Sequence, residues 1–133
     1  MSAQNAATLA GRILLAALFV FSGVEKILDP AGTIGYMQGG GLPVPNVLLV
    51  LSILLELGAS ALLIVGWKTR WAALALFLFM IPVTAVFHNP FAGDPSQAQM
   101  QAVHLMKNLA IIGGLLFAAA FGPGGWSLDR RNG

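Results

Sequence analysis

Glu56 is the residue whose position most needs explaining. It stands inside an apolar run from Val47 to Val65, with no second charged residue within ten positions on either side. A carboxylate in such surroundings either exchanges a proton or holds a ligand, or it pairs with a cation to fix the packing. The other side chains able to join such chemistry are Lys26, Ser22 and Arg12 towards the N-terminus and His88, His104, Lys107 and Asn108 further on. His88 and His104 flank one polar loop, the kind of pair that can hold a metal or a haem. No third ligand of matching spacing accompanies them, so no metal is expected. The chain carries no GXGXXG, P-loop, HEXXH or Ser–His–Asp spacing, the patterns that would announce nucleotide, metal-protease or triad chemistry.

The elements that position these residues are set by an unusual solvent. Of the 133 residues, 57% are hydrophobic and 9% charged, against roughly a quarter charged in soluble domains. The mean hydropathy is +0.81. Most of the chain's surroundings must therefore be lipid. The net charge is only +2 and the basic residues are scattered, which offers no nucleic-acid face. There is no Cys, so disulfides, thiolate metal sites and CXXC exchange within the chain are excluded. Any redox role needs a cofactor or a partner.

A helix needs about 20 mostly apolar residues to cross the hydrocarbon layer. Four segments of that size are present, at about 9–28, 46–66, 71–88 and 104–121, in a single domain over 1–133. The first lacks a basic leader and a clean cleavage region, and reads as a retained span. In the first gap, Asp29 and Pro30 suit an N-cap and first turn, and Gly39 to Gly41 end the short helix that follows. The third gap is polar and predicts a short surface helix near 96–103. The fold class expected is an all-α integral membrane four-helix bundle.

Direction follows from the cations. Arg12, Lys68, Arg70, Arg130 and Arg131 all fall on one side of the bundle, and the positive-inside rule makes that side, with both termini, cytoplasmic. Trp67, Trp71 and Trp126 fall at the same interface, where indole rings prefer to lie.

Helical periodicity then gives each span one face of polar or small residues. Span one presents Arg12, Phe19, Gly23 and Lys26, with Ser22 beside them. Span two presents Ser52, Glu56, Ala59 and Ser60. Span three presents Ile81, Thr84 and His88, with Pro82 as a local kink. Span four presents His104, Lys107, Asn108, Ile111, Gly114 and Ala118. Such faces look into a membrane bundle. Glu56 lies roughly 15 Å deep at a 1.5 Å rise per residue, and a charge facing lipid there costs at least ~2.5–3.5 kcal/mol. It therefore faces inward, either paired or held neutral by the low dielectric. Lys107, Lys26 and Arg12 are the candidate partners, and a network of Glu56, Lys107 and Asn108, extended by Lys26, is the reading favoured here. Lys26 and Lys107 lie near span ends, where snorkelling to the interface competes with it.

The stretches GRILLAALFVFSGVEKILDPAG, ELGASALLIVGWKTRWAALAL, HLMKNLAIIGGLLF and FGPGGWSLD, in that order, resemble the DoxX family of small bacterial and archaeal membrane proteins. The resemblance covers about Leu9 to Asp129. It implies a multi-pass protein of the cytoplasmic (inner) membrane, and relatives named as subunits of quinone-linked oxidoreductase or oxidative-stress complexes. The family pattern maps onto Arg12, Ser22, Gly23, Lys26, Glu56, His88, Lys107 and Asn108, with no catalytic role carried to any of them. The expectation is a redox-system subunit that binds a quinone or similar apolar molecule inside the bundle, with membrane or peripheral redox partners or further copies of itself, and not an autonomous enzyme. The alternative is a non-enzymatic scaffold or assembly factor, in which the charged network is architecture.

Overall fold

The computed structural model describes residues 2–88 and 94–132. Six helices follow one another: α1 (Ser2–Leu28), α2 (Pro30–Gly39), α3 (Pro45–Val65), α4 (Thr69–Phe87), α5 (Ala98–Phe121) and the short α6 (Leu128–Asn132), with a 3₁₀ turn at Pro95–Gln97. Among the described residues there is no strand. Four of the helices are long and apolar enough to cross a membrane.

The boundaries follow local chemistry. Pro30 lacks the N–H that would continue α1, so α2 starts afresh, capped by Asp29, whose Oδ1 accepts from Gly32 N at 3.0 Å. The α3–α4 hairpin is closed by two left-handed residues, Gly66 at φ 73° and Lys68 at φ 50°, the first of them the usual glycine C-cap. The surface helix expected near 96–103 is instead the first part of α5. Nothing between Ala98 and His104 breaks a helix, and Gln, Met and Ala favour one.

In the bundle α1 packs on α3, α3 on α4 and α4 on α5, while α1 touches α5 more lightly. The core is Ala16, Phe19, Ala59, Leu63, Ala72, Ala73, Leu76, Met80 and Leu115. Its alanines let helix backbones approach without a hydrophobic drive from water, the usual solution in lipid. Outward-facing Leu14, Phe21, Leu54, Leu78, Met106 and Phe117 are well exposed, a surface suited to acyl chains. Ile81 belongs with them at 47% exposure, contrary to the inward face expected for it. The buried stripe of α4 runs through Thr69, Ala72, Ala73, Leu76, Met80 and Thr84, about 100° away from Ile81.

The alternation of helices leaves two unlike ends. One carries both termini, the α3–α4 hairpin and α6. The other carries α2 and the start of α5.

Candidate functional site

How closely α1 approaches α3 decides what surrounds Glu56. At Gly23 a Cβ would stand 2.7 Å from Leu57 Cδ2 and 3.6 Å from Glu56 Cβ. With only hydrogen there, the next turn of α1 brings Lys26 over the carboxylate. Lys26 Nζ donates to Glu56 Oε1 at 3.0 Å and Oε2 at 3.1 Å. Ser22 Oγ accepts from the same Nζ at 2.8 Å and donates to Oε1 at 3.2 Å. The three ammonium hydrogens thus meet three acceptors, and Glu56 is 3% exposed. Charges removed from water need this degree of saturation to be tolerated. It is the only ion pair among the described residues.

A cavity of about 860 Å³ opens beside the cluster. Its apolar wall includes Phe19, Phe79, Met80 and Val83; its polar wall includes Ser52 and Glu56 from α3 and Lys107 and Asn108 from α5. α2 roofs it. Met37 is buried, and Tyr36 stacks on Phe87 with centroids 4.5 Å apart. Gly40 makes that closure possible, since a Cβ there would lie 2.9 Å from Phe87 Cε1. Asp29, Glu25 and His88 stand on the same lining towards the α2 end.

The sequence-expected residues divide into four groups. Glu56, Lys26 and Ser22 form one hydrogen-bonded cluster. Lys107 and Asn108 line the same cavity without joining it: Asn108 Nδ2 donates to Thr84 Oγ1 at 3.2 Å, and Lys107 is exposed. Of the expected network, Lys26 does meet the carboxylate, joined by Ser22, whereas Lys107 and Asn108 do not. The reason is pairing of helices, because α3 lies against α1 whereas α5 lies chiefly against α4. His88 and His104 stack with ring centroids 4.9 Å apart, and His88 Nδ1 donates to Gln101 Oε1 at 3.0 Å. They join α4 to α5, and only His88 reaches the cavity. No group of three metal-ligating side chains is found among the described residues.

Arg12 lies elsewhere, roughly 16 Å along α1 from Gly23 at 1.5 Å per residue. It is 4% exposed, and its guanidinium donates to Leu63 O at 3.2 Å and to Trp126 O. It has room because Gly66 carries no side chain beside it. It cannot serve Glu56; it ties the chain after α5 to the end of α3. Asp129 completes that tie. Its oxygens accept from Lys68 N at 2.7 Å and Thr69 N at 2.9 Å, and its own N–H donates to Gly66 O at 2.8 Å. Desolvation pushes the Asp129 carboxyl up, but the Thr69 and Lys68 N–H groups and the Arg12 charge together hold it below its ordinary value. Sequence reading missed this role, since the partners are 60 and 61 positions away and no local pattern marks them.

Four apolar helices around a buried ion pair and a roofed cavity define a small multi-pass membrane protein with an internal polar site. The DoxX family profile matches residues 7–89, and the chain belongs to the DoxX family. It is 39% identical over 127 residues to inner membrane protein YqjF of Escherichia coli (strain K12), covering 96% of this chain and 92% of that protein. It is 33% identical over 133 residues to inner membrane protein YphA of the same organism, covering 98% and 93%. A Surfeit locus protein 4 homolog of Drosophila melanogaster is 30% identical over 137 residues, which span 96% of this chain and 42% of that protein. No solved structure matches the chain. The protein is a multi-pass protein of the inner membrane.

Proposed function

We propose that the cavity beneath α2 binds an apolar small molecule bearing a carbonyl or hydroxyl oxygen, of the quinone class, and that the chain serves a membrane redox system as a ligand-binding subunit. The observation that carries this reading is the meeting of an apolar cavity of about 860 Å³ with a buried Lys–Ser–Glu cluster in its wall. Small-molecule sites are commonly of 300–1,000 Å³, mostly apolar, with a few convergent polar groups. Lys26 is already saturated by its three acceptors, so direct contact with the ligand oxygen falls to Lys107, Asn108 and Ser52. Glu56, bridged to Lys26 and Ser22, is placed to exchange a proton with that oxygen. The names of the two Escherichia coli relatives give a location and no activity, so the redox assignment rests on the cavity and on the family resemblance.

The test is mass spectrometry of an organic extract of the protein purified in mild detergent, with Glu56→Gln purified alongside. A defined molecule retained stoichiometrically by the wild type and lost from the variant is the expected result. Equal retention by both would remove Glu56 from the site. The same ion pair also favours a second reading, because it ties α1 to α3 as a scaffold's architecture would. In that case the extract holds bulk phospholipid only, and Glu56→Gln lowers stability with no ligand to lose.

A further inference from the structure

The end of the bundle that carries both termini has a second cavity, of about 690 Å³, between the starts of α1 and α4 and the chain that follows α5. Lys68, Arg70 and Arg130 line it, with Asp129 as their one acidic neighbour. Among the described residues Asp129 makes no side-chain ion pair; its oxygens accept from the backbone N–H groups of Lys68 and Thr69. The lining therefore keeps a formal charge of +2, equal to that of the whole chain, since the other four basic and four acidic residues cancel. Charge here is concentrated in one place.

Two further features describe what would sit among these cations. Arg70 is seated against backbone, because Gly122 has no side chain: a Cβ there would lie 3.1 Å from Arg70 Nε. A planar guanidinium held in this way presents its remaining donors as a fork, the geometry that matches phosphate oxygens. Trp71 and Phe121, also in the lining, are 73% and 76% exposed, so the cationic wall borders aromatic surface at the level where indoles meet lipid headgroups.

From this juxtaposition we infer that the cavity is a binding site for an anionic phospholipid, with the phosphodiester among Lys68, Arg70 and Arg130 and the acyl chains along Trp71 and Phe121. A zwitterionic phospholipid brings its own ammonium group to a site of net positive charge and is disfavoured there. A free phosphate ion would leave the aromatic border unused. The inference stands apart from the proposed ligand of the α2-end cavity.

The test uses the whole protein in phosphatidylcholine nanodiscs containing a fixed fraction of brominated phosphatidylglycerol or, in parallel, brominated phosphatidylcholine. Bromine quenches tryptophan, and all three tryptophans, Trp67, Trp71 and Trp126, belong to this end. Stronger quenching by the phosphatidylglycerol is expected. A cation near a lipid surface contributes enough that its removal should lower the preference about fivefold, so Arg70→Gln and the exposed-site variant Arg130→Gln should each do so, and Arg70→Lys, which keeps the charge without the fork, should lose less than Arg70→Gln. Adding Asp94→Asn to Arg70→Gln restores the net charge at the opposite end of the bundle and should not restore the preference. Equal quenching by the two lipids in the wild type would overturn the site. So would recovery in the double variant, which would mean bulk attraction, or relief of quenching by inorganic phosphate, which would mean a water-soluble ligand.

Discussion

Lys26 sits two residues from the end of α1, a place from which a lysine ordinarily snorkels to the interface. Here it turns inward, because a carboxylate in hydrocarbon is the more costly group to leave unpaired. Lys26→Met should therefore cost about 3 kcal/mol, the penalty of breaking a buried pair from one side, read as a lowered thermal unfolding midpoint in mild detergent. Lys26→Met combined with Glu56→Gln should recover most of the loss, because no uncompensated charge remains. A single variant as stable as wild type would mean that Glu56 is not held as an ion. The inward direction of Glu56 was legible from its isolation in an apolar run. Its partner was not, because Lys26 and Lys107 occupy equivalent places in their own spans. What separates them is the close passage of α1 over α3 at Gly23, a contact between residues more than 30 positions apart.

At the scale of elements, α4 is a helix whose first turn is capped by another part of the chain. Lys68 precedes it in a left-handed conformation and offers no side-chain cap; Asp129 supplies one from α6. Removing a capping side chain costs about 1 kcal/mol, so Asp129→Ala should be less stable than wild type by about that much at neutral pH. Because the carboxyl is held below its ordinary value in the folded protein, its contribution is complete above the unfolded-state pKa and is lost as pH falls through the lower folded one. Thermal midpoints of wild type and Asp129→Ala measured across that acid range should then converge; a constant gap would assign the effect to packing. Elements specified locally were legible: Asp29–Pro30 opens α2 and the glycines close it. The outward turn of Ile81 was not, since the choice among adjacent faces of an apolar helix is made by its neighbours, α3 and α5.

For the whole molecule, the two polar ends are separated by a closely packed layer. Leu63, Leu76, Ala73 and Leu115 are fully buried between the Glu56 cluster and the Arg12 tie, so the α2-end cavity is a pocket in the bundle and not a path through a protomer. Which side of the membrane that pocket serves depends on orientation. Arg12, Lys68, Arg70 and Arg130 belong to the end with both termini, and we propose that the bias of cations towards the cytoplasm would send the opposite end outward. Proton exchange at Glu56 and entry of a ligand beneath α2 would then take place from the outer leaflet. The absence of native Cys makes the orientation directly measurable with single cysteines at two exposed serines. Ser96→Cys should react with a membrane-impermeant maleimide on intact cells stripped of their outer membrane, and Ser2→Cys only after the inner membrane is opened. The reverse pattern would place the pocket on the cytoplasmic side, where a soluble redox partner rather than an outer-leaflet ligand would meet it.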